Sequence, residues 1–120
     1  MSKRKILLAE DDFTMVSLLT TLLKMEGYDV VSLNADDDVL AGVRAHQPDA
    51  LILDVHLFSQ SGLDILQKLR EAEDTSGVRV LMSSGANVRE ECMNTGADGF
   101  LLKPYMPDDL FKLLRQVIAA

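Results

Sequence analysis

Five short apolar segments of β type alternate with five amphipathic stretches from one end of the chain to the other. Nothing else in the sequence limits the fold so strongly. The strand candidates are Lys5 to Ala9, Asp29 to Leu33, Ala50 to Asp54, Val78 to Ser83 and Gly99 to Leu102. Between them the apolar residues recur at helical spacing: Val16, Leu19 and Leu23, with Met15, Leu18 and Leu22 beside them, in Asp12 to Glu26. Further helices are expected over Ala35 to His46, Gly62 to Ala72, Asn87 to Asn94 and from Pro107 onward. The third carries Leu63, Leu66, Leu69 and Arg70 at helical spacing, and the last is expected to bury Leu110, Leu113, Leu114, Val117 and Ile118. Gly27 suits a helix C-terminus, Asn87 with Glu90 a capping box, and Pro107 a first helical turn. Strands joined through crossover helices run parallel, and a parallel sheet needs both faces covered. The expected architecture is α/β: a (βα)₅ doubly wound, parallel five-stranded sheet in a three-layer sandwich. Residues 1–120 read as one domain.

Composition narrows the function classes. The longest apolar runs are four residues, Ile6 to Ala9 and Ala50 to Leu53, against the about 20 that a membrane helix needs. No apolar region with a small-residue cleavage site follows the basic start, so a secretory signal is not expected. The single cysteine, Cys92, excludes an internal disulfide and a cysteine zinc site, and fits a reducing cytoplasm. A formal net charge of −7 disfavours direct contact with nucleic acid or an anionic membrane.

Ligands of an open parallel sheet bind beyond the carboxyl ends of its strands. Here those ends carry Glu10-Asp11-Asp12, Asp54, Ser83-Ser84 and Lys103-Pro104. Carboxylates gathered at one edge repel one another, and their hard oxygens suit Mg²⁺. A lysine and a hydroxyl nearby suit a phosphoryl group, for which an aspartate can be the nucleophile. The chemistry therefore points to a Mg²⁺-dependent site at which an aspartate takes a phosphoryl group.

The segments ILLAEDD (6–12), LILDVHLFSQSGLDIL (51–66), VLMSSG (80–85) and TGADGFLLKPY (95–105) occur in this order. With them the sequence resembles the receiver domains of two-component response regulators, of the chemotaxis-regulator type, which have a flavodoxin-like fold. The resemblance implies that Asp54 is the phosphoacceptor. It implies that Asp11 binds Mg²⁺ directly, Glu10 through water, and the backbone carbonyl of His56 completes the protein's ligands with Asp54. Ser84 would be the switch hydroxyl, Lys103 the partner of the phosphoryl group with a cis bond to Pro104, and Phe100 the aromatic switch residue. It also implies a sensor histidine kinase or histidine phosphotransfer protein as donor, and an output protein or fused effector domain as target. Signalling would run through the face of helix four, strand five and helix five, in the cytoplasm, with no enzymatic turnover beyond self-assisted transfer and autodephosphorylation. Such an acidic receiver can be monomeric or dimerise only when active. It can stand alone or be a domain cut from a larger regulator.

Other residues have plainer readings. Asp12 suits a helix cap or first turn, Asp36 to Asp38 a solvated helix start, His46 a helix end, and Cys92 core or surface filling. Three positions depart from the family pattern. Leu57-Phe58 lacks the usual proline, Ala86 offers no polar side chain to water, and Ser84 to Lys103 is 19 positions. That is about three fewer than the family's usual spacing, almost one helical turn, to be lost from the fourth helix or the loop before it, and Asn87 to Asn94 leaves only about two turns on the output face. Two rival readings remain. A phosphatase of the haloacid dehalogenase type would need a second aspartate where His56 stands. A pseudo-receiver would use the same fold as a phosphorylation-independent interaction module.

Overall fold

A computed structural model describes residues 3–34 and 36–119. The main strands are β1 (Lys5–Ala9), β2 (Asp29–Ser32), β3 (Ala50–Asp54), β4 (Val80–Ser84) and β5 (Gly99–Leu102). The helices are α1 (Phe13–Met25), α2 (Val39–His46), α3 (Gly62–Glu71), α4 (Arg89–Thr95) and α5 (Pro107–Ala119). All strand pairs in the sheet are parallel, in the order β2-β1-β3-β4-β5. The chain steps from β1 outward to β2, then crosses to β3 on the other side. The topological switch point therefore lies between β1 and β3, where a crevice opens beyond their carboxyl ends.

Successive strand residues point to opposite faces, and the sheet divides its apolar side chains accordingly. Leu7, Leu51, Leu53, Val80 and Met82 join Val43, Leu66, Leu69 and Cys92 in a core under α2, α3 and α4. Ile6, Leu8, Ile52 and Leu81 join Leu19, Leu23, Leu110, Phe111 and Leu114 under α1 and α5. β3 and β4 are buried at every position, as strands covered on both faces must be. Among the described residues, no helix is long and apolar enough to cross a membrane.

The expected helix ends hold at α1, where Asp12 caps the first turn through Thr14 and Met15 N–H and Gly27 follows at φ +94°. Elsewhere the structure corrects the sequence reading. α2 begins at Val39, because Asp37 closes a turn with Asn34 and Asp38 is the cap. The expected start at Ala35 lies outside the described residues. α4 has no capping box. Val88 occupies its cap position without a side-chain bond, and Asn87 reaches only the Arg89 N–H, at 3.4 Å. β4 runs two residues later than expected at its start, since the Val78 N–H closes a turn on Thr75. Leu18 is exposed, because the apolar arc of α1 is wider than the sheet covers, and α5 buries Phe111 while Leu113 and Ile118 are only partly covered. A two-residue antiparallel ladder, His56–Leu57 with Gln60–Ser61, follows β3 where a plain loop was expected.

Candidate functional site

Parallel strands bring their carboxyl ends to one edge, so residues 44 or more positions apart in sequence meet at the switch point. Glu10 leaves β1, Asp54 ends β3 and Lys103 leaves β5. Glu10 and Asp54 are 5% and 6% exposed, a burial that carboxylates tolerate only with a partner. The partner is Lys103, whose Nζ donates to Glu10 Oε1 at 2.6 Å and to Asp54 Oδ2 at 3.2 Å. The remaining oxygens are also engaged. Glu10 Oε2 accepts the Asp11 N–H at 2.9 Å, and Asp54 Oδ1 accepts the His56 N–H at 3.2 Å. Asp11 is exposed, and its Oδ2 accepts the Phe58 N–H at 3.3 Å.

Carboxylate oxygens of Glu10, Asp11 and Asp54 lie within 4.8 Å of one another. One ammonium faces three acidic groups, which leaves the crevice negative. Burial, and then the neighbouring Asp54 carboxyl, raise the Glu10 pKa above the ordinary carboxylate value despite Lys103. Burial works against the Lys103 charge, yet Glu10 and Asp54 more than offset it and raise the Lys103 pKa. The ammonium therefore stays protonated at neutral pH. A donor set made of carboxylate oxygens, without thiolate or imidazole, fits a hard cation such as Mg²⁺.

The other predicted residues occupy different positions. Ser83, not Ser84, pairs in register with Asp54. Ser84 lies one residue further out, is buried, and its Oγ accepts the Ala86 N–H at 3.1 Å. Its carbonyl accepts the Lys103 N–H, which fixes the base of the lysine against β4. The Lys103–Pro104 bond is cis. His56 is exposed at the start of the small ladder, and Phe100 is half-buried against the core under α2, α3 and α4.

Gly62 and Tyr105 shape the site without having been singled out from sequence, and Phe58, already marked as a departure from the family pattern, shapes it as well. A Cβ at Gly62 would collide with the Asp54 carbonyl oxygen, so only glycine lets α3 start this close to the end of β3. Its position at the end of a loop, opening an amphipathic run, was the available signal. Tyr105 lies near enough for Lys103, Glu10 and Asp54 to influence its phenol, which burial pushes up to about 12. Phe58 adopts φ +54° and presents its N–H to Asp11.

With this geometry established, the comparisons with known proteins are decisive. The profile of the response regulator receiver domain matches residues 6–115. The chain belongs to this family. The receiver is 29% identical over 116 residues to the DNA-binding response regulator MtrA of Mycolicibacterium paratuberculosis, covering 94% of this chain and 50% of that protein. It thus spans about half the length of the curated relatives it matches. Its fold superposes with a TM-score of 0.91 on a protein of Chloroflexus aurantiacus J-10-fl taken to be a response regulator, at 25% identity over 99% of this chain and all (100%) of that one. It superposes at 0.84 on the receiver domain of the sensor histidine kinase PA1611 of Pseudomonas aeruginosa PAO1, 23% identical over 99% of this chain and 100% of that one. That structure has a magnesium ion coordinated in its active site cleft. Receivers of this family are signalling proteins of two-component systems, and the flavodoxin-like order of the sheet is theirs.

Proposed function

We propose that this receiver, as one unit over residues 1–120, is a phosphoacceptor of a two-component phosphorelay and that Asp54 takes the phosphoryl group. The observation that carries the reading is the pair of buried carboxylates, Glu10 and Asp54, bridged by Lys103 Nζ at 2.6 and 3.2 Å. The donor is a phosphohistidine on a sensor histidine kinase or a histidine phosphotransfer protein. An Asp54 carboxylate oxygen bonds to phosphorus as the P–N bond breaks, and the electron pair of that bond returns to the donor's imidazole. Lys103, already held at the site, neutralises charge on the transferring group. Asp11, Glu10, Asp54 and the His56 carbonyl would hold Mg²⁺, which supplies charge neutralisation to the phosphoryl oxygens when bound. The Ser84 hydroxyl accepts one hydrogen bond and keeps its own proton to give to a phosphoryl oxygen.

The transfer adds about −1.5 to −2 charges at the switch point. Ser84 and Lys103 turn toward them, the loop after β4 follows, and Phe100 changes its burial. The α4–β5–α5 face is thereby biased toward a form that binds an output protein or a fused effector domain, with dimerisation confined to the active state. This is a population shift between two forms. DNA binding belongs to MtrA by its name; this chain's acidic receiver acts through protein contacts in the cytoplasm.

Intact-mass spectrometry after incubation with acetyl phosphate and Mg²⁺ tests the reading, with Asp54→Asn in parallel. The parent should gain one phosphoryl mass, and neither the variant nor the parent in a chelator should. A parent that stays unlabelled where a control receiver is labelled would overturn the assignment.

A further inference from the structure

Arg70 stands at helical spacing with Leu63, Leu66 and Leu69 on the inner side of α3. Its side chain is 20% exposed. The guanidinium ties two further segments, 76–78 and 96–98, to α3. Nε donates to the Gly96 carbonyl at 2.9 Å, Nη1 to the carbonyls of Ser76 and Val78 at 3.0 and 2.7 Å, and Nη2 to Asp98 Oδ2 at 3.0 Å. The same Asp98 oxygen accepts the Val80 N–H at 2.7 Å, and the Asp98 N–H returns to the Val80 carbonyl. Gly96, at φ +110°, lies so close to the arginine that a Cβ there would stand 3.1 Å from Arg70 Cγ. The C-terminal end of α4 and the start of β5 are thus tied to α3 and to the first residue of β4.

The other end of α4 has no such polar tie, only the partly buried Val88 packed against the core. Val88 contributes no side-chain cap, Asn87 makes one long bond, and Cys92 is the buried residue of the helix. α4 has seven residues, so fixed and loose ends are less than two turns apart. The loose end is the one joined to Ser84 through Gly85 and Ala86.

We propose that Arg70 is a positioning residue that makes the C-terminal end of α4 a fixed pivot, so that within α4 the switch movement is confined to its N-terminal turn. The signalling half of this proposal rests on the phosphoacceptor reading; the static half does not. A guanidinium satisfied by four carbonyl or carboxylate contacts has no looser geometry of equal quality to move into. The seven-residue helix, short for the family, can therefore tilt or fray from Val88 but cannot slide as a unit.

Hydrogen exchange of the full chain, read by mass over segments 85–93 and 95–102, tests this with and without acetyl phosphate and Mg²⁺. Intact mass of the same samples reports labelling separately. In the parent, phosphorylation should change exchange of 85–93 and leave 95–102 unchanged within about twofold. In Arg70→Gln the unphosphorylated protein should already exchange faster over 95–102, by about tenfold or more, and phosphorylation should then alter both segments. Arg70→Lys, which keeps the charge without the fork, should fall between. A merely structural arginine would lower protection equally in both states and leave the response confined to 85–93. Asp98→Asn retains an oxygen for the Val80 N–H and removes the ion pairs with Arg70 and, at 3.7 Å, Arg79, so with Arg79→Gln as its control it decides the matter if Arg70→Gln does not fold. Phosphorylation that changes both segments equally in the parent would overturn the pivot, as would variants that respond like the parent. An unlabelled parent would defeat the phosphoacceptor reading, while unphosphorylated Arg70→Gln against parent would still decide the static hold.

Discussion

Gly62 and Tyr105 show how much of the site depends on single atoms outside the acidic cluster. A methyl group at Gly62 would meet the Asp54 carbonyl oxygen, and neither backbone can withdraw without disturbing β3 or the first turn of α3. Gly62→Ala should cost about 1–3 kcal/mol in urea unfolding. Acetyl phosphate labelling should slow more in it than in a remote core variant of equal stability. Tyr105 makes a pH prediction. Burial raises its phenol from the ordinary 10.0 to about 12, so the folded chain keeps a proton that the unfolded chain releases. With the folded pKa raised, its contribution is fully present below the unfolded value and is lost as pH rises from 10 to about 12. Urea midpoints of the parent should fall across that window, and Tyr105→Phe should flatten the fall. Burial also raises the Tyr28 phenol, so part of the slope should survive in the variant.

The helices owe their boundaries to their caps more than to their apolar faces. In α2, Asp38 accepts from Leu40 and Ala41 N–H, and eight residues give the helix little else at that end. Asp38→Ala should lower stability by about 1 kcal/mol and leave labelling of Asp54 unchanged. At the other end Gln47 takes φ +47°, a left-handed conformation that costs a side-chain-bearing residue about 1–2 kcal/mol. Gln47→Gly should accordingly raise the urea midpoint, with a gain of about 1 kcal/mol at most after glycine's own entropy is counted. α4 shows the converse. The residue types of a capping box are present, but the helix starts at Arg89, and Val88 rather than Asn87 takes the cap position.

At the scale of the molecule, the two cores share one sheet whose strands feed alternate side chains to each. Loss of either helical layer exposes the strand residues of that face and loosens the register that holds the other. Leu66→Ala and Leu114→Ala, both at fully buried positions on opposite faces, should each cost about 2–5 kcal/mol. Each should unfold in one transition, coincident by circular dichroism and tyrosine fluorescence. A biphasic curve in either would show that the layers unfold independently. The shared sheet is also what places Lys103 against Glu10: the edge strand β5 reaches the switch point only through the stacked register of β4 and β3.

The order of elements, the parallel sheet and the strand ends that carry chemistry were legible in the sequence, because apolar periodicity, glycine and proline positions and terminal carboxylates are local properties of the chain. The convergence of Glu10, Asp11, Asp54 and Lys103 followed from parallel strands alone. Distances did not. That Lys103 lies closer to Glu10 than to Asp54, that Ser83 is the residue level with Asp54, and that the Ser84 hydroxyl accepts the Ala86 N–H depend on register and side-chain rotamers, which no periodicity encodes. The same holds for Leu18, left exposed by the packing of α1, and for Gly62, whose need for glycine comes from the end of a strand eight residues earlier. In the sequence Arg70 shows only its helical spacing with Leu63, Leu66 and Leu69. Only the tertiary structure, by bringing residues 96–98 and the loop at 76–78 within reach of one guanidinium, made it the tie between α3, α4 and β5.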